Sequence, residues 1–442
     1  MKLERAKGTR DIIPEEKIVR QEVIDSLRNI FERYGFSPLE TPTIERFDVL
    51  AAKYAGGSEI LKETFQMKDQ GKRDLCLRYD LTVPFCRFIG MNPTIKMPFK
   101  RYQIGRVFRD GPIKTGRLRE FWQCDVDVVG TKNMIADAEI IKITQRFFKS
   151  IELNVIIEVN NRKLLDGLMD DLKIPEGKRE AVIIAIDKLK KVPIKDIEKE
   201  LETKGIKKEK VDELFKILNT DGTNIQKLEK LRKLLKSEKA IEGLDEIENL
   251  LKYVNEKDKD AKVVFAISLA RGLSYYTGTV FEAFMADGKF RSSLCGGGRY
   301  DNMIGNFLGG NREFPAVGIS FGIEPISVMM TEKLKSEQKK DSGNENIKKT
   351  VTELYVIPIP FDQSSVKAAK IVEELREAGL KVDMDLSGKG ISKNLNFANS
   401  YNIPYVLFVG EEELKKKKFK LKDMIKGKEE FLDVKGIVKK LK

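Results

Sequence analysis

EFWQCDVDVV (Glu120–Val129) alternates with a period of two. Trp122, Cys124, Val126 and Val128 fall on one face of an extended chain, and Gln123, Asp125 and Asp127 on the other. This spacing predicts a strand with one face in a core. A solvated outer face accounts for the polar side as well as a binding site does, and this strand alone leaves both open. Just upstream, Lys100–Arg109 reads as a second strand with Gln103, Gly105 and Arg109 on one face. The connection DGPIKTGRLR (Asp110–Arg119) holds Gly111, Pro112 and Gly116, so it must turn. It also holds Lys114, Arg117 and Arg119. A hairpin with these cations at its tip and Arg109 on its stem is set up to meet phosphates, because the guanidinium fork holds phosphate through paired hydrogen bonds. Attack at phosphorus needs positioned positive charge more than a covalent group. No GxxxxGK[ST] run occurs, which excludes a P-loop nucleotide site.

Outward from the hairpin, a helix is predicted over Pro14–Tyr34, stopped by Gly35. Strand-like runs recur at Asp74–Asp80, Val155–Asn160, Val263–Leu269, Tyr275–Met285 and Ala316–Phe321. Strands clustered with few helices between them predict a largely antiparallel sheet. The texture changes over 162–262, which is Lys/Glu-rich with Ile and Leu at helical spacing, as at Ile194, Ile197 and Leu201. This reads as a helical insertion in a sheet domain covering 1–161 and 263–330. Residues 331–350 (TEKLKSEQKKDSGNENIKKT) are nearly free of apolar side chains and read as a linker. Over 351–442, strand Leu354–Ile359, helix Ser364–Ala378, strand Lys381–Asp385, helix Ile391–Ser400 and strand Tyr405–Val409 predict a small parallel α/β domain. Its basic run Lys415–Lys418 suits either phosphate or a solvated face.

Composition narrows the chemistry. The chain of 442 residues suggests about two to four domains. Its net charge of +13 suits a polyanionic partner or a generally Lys-rich composition. Cys76, Cys86, Cys124 and Cys295 show no close pair, so no zinc site is expected and the thiols read as reduced and intracellular. No apolar segment follows the charged start and no run of about 18 apolar residues occurs, which predicts neither signal peptide nor membrane span. Histidine is absent. This excludes histidine general bases, Ser-His or Cys-His nucleophiles and His-ligated metals. Chemistry must run on carboxylates, Arg, Lys, Tyr or substrate groups.

Two further segments complete the pattern. ARGLSYYTGTVFE (Ala270–Glu282) places Tyr275 and Tyr276 after Arg271, as half-buried packing or as the lining of a pocket for a planar ligand. CGGGRYD (Cys295–Asp301) permits close backbone approach to a ligand or forms a flexible loop.

Taken together, KRYQIGRVFRDGPIKTGRLREFWQCDVDVVG (Lys100–Gly130) resembles motif 2 of the class II aminoacyl-tRNA synthetases in its histidyl form. Ala270–Glu282 and CGGGRYDNMIG (Cys295–Gly305) resemble that family's histidine-specific segments. LRYDLTVPFCRF (Leu77–Phe88), KGTRDIIPEE (Lys7–Glu16) and the C-terminal ISKNLNFANSYNIPYVLFVGEEE are similar to it as well. The resemblance implies an α+β catalytic domain with a six-stranded antiparallel sheet flanked by helices, a C-terminal α/β anticodon-binding domain, and a cytoplasmic homodimer. It implies ATP-dependent activation of L-histidine, with Mg2+, and transfer to tRNA(His). Arg109 and Arg271 would flank the α-phosphate. Asp80, Thr82 and Gln123 would surround the substrate amino group, and Asp127 with Tyr276, beside Tyr275, would read the imidazole. Arg117 and Arg119 would lie near ATP and the acceptor end, and the insertion near the acceptor arm. The same resemblance admits a catalytically reduced regulator that binds histidine or tRNA. One departure bears on this: the family's motif 3 closes on Gly-x-Glu-Arg, whereas Gly322-Ile323-Glu324-Pro325 stands here and supplies no cation.

Overall fold

The structure, a computed structural model, describes residues 2–53, 61–113, 118–189, 192–254, 258–271, 275–288, 290, 292–310, 312–342, 348–360 and 363–442. Lys114 and Arg117 of the hairpin tip lie outside the described residues. The chain divides into two units, Met1–Arg10 with Val23–Val328, and Asp11–Glu22 with Met329–Lys442.

The first unit carries strands β1 (Ser37–Pro38), β2 (Ile44–Arg46), β3 (Gln66–Lys68), β4 (Asp74–Leu77), β5 (Phe99–Phe108), β6 (Glu120–Val129), β7 (Val155–Asn161), β8 (Ala261–Phe265), β9 (Thr279–Met285), β10 (Cys295–Arg299) and β11 (Ala316–Gly322). The large sheet has the order β1-β5-β6-β11-β10-β9-β7-β8. Its six inner strands pair antiparallel throughout, as the strand clustering predicts. A parallel strand at each edge raises the total to eight rather than six. β1 is too short to read from sequence. β8 runs parallel to β7 because a run of helices, from Arg162–Asp171 to Glu238–Tyr253, forms a crossover between them. That helical segment is tied to the sheet: Asn161 at the end of β7 donates to Glu246 at 2.6 Å.

One sheet face is apolar, as the β6 phasing predicts. Cys124, Val126 and Phe321 are buried there under Phe31 and the Met134–Ser150 helix. Phe147 meets Phe321 edge-on with centroids 5.3 Å apart. Ring packing of this kind adds to the transfer free energy of the buried side chains. The opposite face is polar yet also buried, with Arg101, Gln103, Asp125 and Asp127 all sequestered. A wetted outer face is thereby set aside.

Strand β4 ends at Leu77, earlier than the alternation to Asp80 suggests. Asp80 instead turns to the Thr82–Met91 helix, where its Oδ1 accepts from the Val83 amide at 2.9 Å. A free helix N-terminus favours such a carboxylate over continued pairing. The polar stretch from Thr331 does not begin as coil either, since Ile323–Ser342 is one helix.

The second unit holds β12 (Leu354–Pro358), β13 (Val382–Met384), β14 (Tyr405–Val409), β15 (Phe419–Asp423) and β16 (Glu429–Leu432), ordered β13-β12-β14-β15-β16. The predicted parallel βαβαβ alternation is its first part. β15 and β16 add antiparallel, and a Val434–Leu441 helix follows. Val356, Val372, Leu407 and Phe419 share its core. Among the described residues no helix is long and apolar enough to cross a membrane.

Candidate active site

The β5–β6 hairpin sets the site. Its register places Arg101 opposite Asp127, Gln103 opposite Asp125, and Gly105 opposite Gln123, all on the polar face. β11 continues that face with Gly318 beside Asp127 and Ser320 beside Asp125. Over it lies a cavity of about 330 Å³ lined by Asp80, Thr82, Arg109, Gln123, Asp127, Arg271, Tyr275 and Tyr276, together with Tyr79, Asp125, Tyr300 and Ser320. Eight of the ten residues singled out from sequence are therefore gathered in one place. Arg117 falls outside the described residues. Arg119 does not line the cavity: it pairs with Asp110 at 3.0 Å, and its amide donates to Gly8 at 2.8 Å.

One part of the cavity is acidic. Asp127 is ion-paired to Arg101 at 2.7 Å, and Tyr300 donates to its Oδ1 at 2.6 Å. Arg101 is fully buried and lies 4.2 Å from the Phe85 ring centroid. Burial, with the Asp127 charge, holds the Tyr300 hydroxyl well above its ordinary pKa, so it remains a donor. Tyr276, expected from the sequence to read the imidazole together with Asp127, lines the same cavity. Asp125 is pushed up to about 7, chiefly by burial, with Asp127 and Asp80 adding to the rise and Arg101 and Ser320 opposing it.

The other part is cationic. Arg109 follows the end of β5, stacks over the Tyr79 ring at 4.3 Å and donates to the Tyr79 carbonyl at 3.4 Å. Arg271 follows β8, donates to the Phe281 carbonyl at 3.3 Å and stands 3.8 Å from Glu282. Burial works against its charge, and the neighbouring Glu282 carboxylate opposes that, so Arg271 stays a cation. The CGGGR run is a strand here, and its glycines are required by close approach. A methyl at Gly296 would collide with Arg271 Nη1, and one at Gly298 with the Tyr276 ring. Along β6 the face reads Asp127, Asp125, Gln123 toward the hairpin end where Arg109 stands, so the site suits a ligand with an amine at one end and an anion at the other.

Pro325 occupies the first turn of the Ile323–Ser342 helix, where a missing N–H is tolerated. Its ring covers Gly322, 2.8 Å from where a side chain there would begin. The neighbouring Glu324 accepts from the Trp122 amide at 3.1 Å. Among the described residues no group of three or more acidic or thiol side chains forms a metal cage, and all four cysteines are free and buried.

Sequence reasoning passed over Arg101, Tyr300 and Ser320, and it noted Asp125 only as part of a polar face. The phasing of β6 marked Asp125, and Tyr300 lay inside a motif already singled out. Arg101 and Ser320 announce themselves only through strand register.

Comparison with known proteins agrees with this architecture. A family described as Histidyl-tRNA synthetase matches residues 8–326, and one described as Anticodon binding domain matches 353–442. Histidine--tRNA ligase 1 of a Bacillus cereus strain is 41% identical over 97% of this chain and 97% of its own length. Histidine--tRNA ligase 2 of Shouchella clausii is 40% identical over 97% of this chain and 98% of its own. The crystal structure of histidyl-tRNA synthetase from Nostoc sp. PCC 7120 superposes with a TM-score of 0.85 at 28% identity, covering 100% of this chain and 99% of that one. An antiparallel sheet with two arginines over its polar face, followed by an anticodon-binding unit, defines an aminoacyl-tRNA ligase. Within that class, the chain belongs to the histidyl-tRNA synthetase family.

Proposed function

We propose that this chain activates L-histidine with ATP and transfers the histidyl group to the 3′ end of tRNA(His). The observation that carries the site assignment is the convergence of Arg109 and Arg271 with Asp80, Gln123 and Asp127 on one cavity. In the first step a histidine carboxylate oxygen attacks the α-phosphorus, the bond to the bridging oxygen breaks, and pyrophosphate leaves. Arg109 and Arg271 neutralise charge on the phosphoryl oxygens as it develops. Thr82 and the Asp80 carboxylate, fixed by its cap on Val83, orient the substrate amine. Asp127 and Tyr276, with Tyr275 alongside, read the imidazole; polar groups left unpaired by an analogue would reject it strongly. In the second step a ribose hydroxyl attacks the carbonyl carbon and AMP leaves. No histidine exists to take the hydroxyl proton, so a phosphate oxygen of the adenylate receives it. Mg2+ would enter on the ATP phosphates and supply further charge neutralisation.

In this reading residues 1–161 and 263–330 are the catalytic domain, 162–262 an insertion near the acceptor arm, 331–350 a linker and 351–442 the anticodon-binding domain. Arg117 and Arg119 serve the acceptor end, and the protein is a cytoplasmic homodimer. Pro325 motivates a second reading, a reduced-activity regulator that binds histidine or tRNA. The match to an anticodon-binding domain at 353–442 favours the ligase. Histidine-dependent ATP–pyrophosphate exchange, followed by charging of tRNA(His), tests both steps. Exchange without charging, or no exchange at all, would overturn the ligase.

A further inference from the structure

Tyr276 and Tyr300 both line the substrate cavity, yet they come from separate segments, one ahead of β9 and the other just after β10. A side chain behind the cavity wall joins them. Asp301 follows Tyr300, and its Oδ2 accepts from the Thr277 hydroxyl at 2.9 Å. The Asp301 amide donates back to Thr277 Oγ1 at 3.0 Å. Thr277 follows Tyr276, and its amide donates to the Arg299 carbonyl at 2.8 Å. Thr277 and Asp301 themselves line a second cavity of about 820 Å³, which adjoins the first along Tyr275 and Tyr276.

A third segment meets the same carboxylate. Asp301 Oδ1 accepts from the Ala316 amide at 3.0 Å and from Arg299 Nη1 at 3.3 Å. Ala316 opens β11, and its carbonyl accepts from the Tyr300 amide at 2.8 Å. Further along β11, Gly318 lies so near Asp127 that a side chain there would meet the carboxylate. Arg299 is buried and already paired with the buried Asp137, so charge pairing alone does not call for a second acid. What Asp301 adds is its grip on Thr277 and Ala316. The parts that converge on the imidazole end are thus tied together at one carboxylate.

Resting on the histidine-activating reading above, we propose that Asp301, acting through Thr277, is a positioning residue that sets Tyr276 and Tyr300 for recognition of the substrate side chain. Groups that read a ligand must be held in place by hydrogen bonds from behind, and a misplacement of about 1 Å can cost about a hundredfold. Asp301 holds the backbone on both sides of the tyrosine pair. Its contacts lie away from Arg109 and Arg271, so its loss should fall on histidine and not on ATP.

The test is Thr277→Val, which keeps the shape of the side chain and removes the hydroxyl. In pyrophosphate exchange it should raise KM for histidine by about five- to tenfold, a part of the loss that full misplacement would cause. Ki for histidinol, which keeps the imidazole, should rise in parallel. KM for ATP should change little. Thr277→Ser, which retains the hydroxyl, should keep the parent KM. Asp301→Ala should raise KM for histidine at least as much, and adding Thr277→Val to it should bring no further rise, because both remove the same bond. Unchanged KM for histidine in Thr277→Val overturns the proposal. So does an equal loss for ATP, or a Thr277→Ser variant as impaired as Thr277→Val. Should Thr277→Val fail to fold, Asp301→Ala carries the test, and an unchanged KM for histidine there overturns the proposal. Absence of histidine-dependent exchange in the unmodified protein removes the underlying functional reading instead, and the inference with it.

Discussion

Arg101 and Asp127 form a buried ion pair, 2.7 Å apart, directly beneath the cavity. Removing one partner of such a pair leaves an uncompensated charge and costs about 3–5 kcal/mol. Arg101→Met should therefore lower stability by roughly that amount, and thermal denaturation will measure it. The double variant Arg101→Met/Asp127→Asn should recover part of the loss, because no buried charge then remains unpaired. If the single variant melts with the parent protein, the pair is not structurally important.

The arginines that line the cavity make a different prediction. Arg109→Ala and Arg271→Ala should each slow histidine-dependent exchange by about 10²–10³-fold, the scale of one preorganised transition-state donor. Circular dichroism should be unchanged. Gly296→Ala should mimic Arg271→Ala, since the added methyl occupies the space of the guanidinium. An active Gly296→Ala variant would show that Arg271 need not hold its observed position.

These outcomes indicate what was legible in the sequence. The period-two alternation of Glu120–Val129 fixed a strand and its faces, and that strand has the same bounds in the structure. The motifs then named eight residues that share the cavity. Arg101 was not legible, because its role depends on the β5–β6 register that sets it opposite Asp127. Burial of the polar face was not legible either. A Gln, Asp, Asp alternation looks the same whether water or protein covers it. CGGGR gave no strand signal, since glycine has poor strand propensity. Larger side chains are excluded there by the adjoining strands, since a Cβ at Gly297 would meet the Gly318 carbonyl and one at Gly298 the Thr279 carbonyl and the Tyr276 ring.

Burial of Asp125 has a consequence for stability. Its carboxyl is raised to about 7 in the folded chain, whereas an unfolded Asp titrates near about 3.9. Between those values the folded state holds a proton that the unfolded state has released. Stability from this group is therefore full at low pH and is lost as pH rises through about 7. Asp125→Asn does not titrate. Its melting temperature relative to the parent protein should rise steadily as the pH increases from about 4 to about 7 and level off above the folded value of about 7. A difference that stays flat across this range would mean that Asp125 is ionised throughout.

Pro325 is the one position where a cation expected from the family motif is replaced by an uncharged ring. The first helical turn accepts proline without losing a helix hydrogen bond, so the substitution carries no folding penalty. The consequence falls on nucleotide binding. Pro325→Arg restores both a donor and a charge at the edge of the polar face, beside Gly322 and Gln123. One added charge-assisted hydrogen bond corresponds to about tenfold in affinity. KM for ATP in the exchange assay should fall by about that factor. KM for histidine should stay unchanged, because the arginine would lie at the phosphate end and not near Asp127. An unchanged KM for ATP would show that Arg109 and Arg271 already neutralise the nucleotide without a third cation.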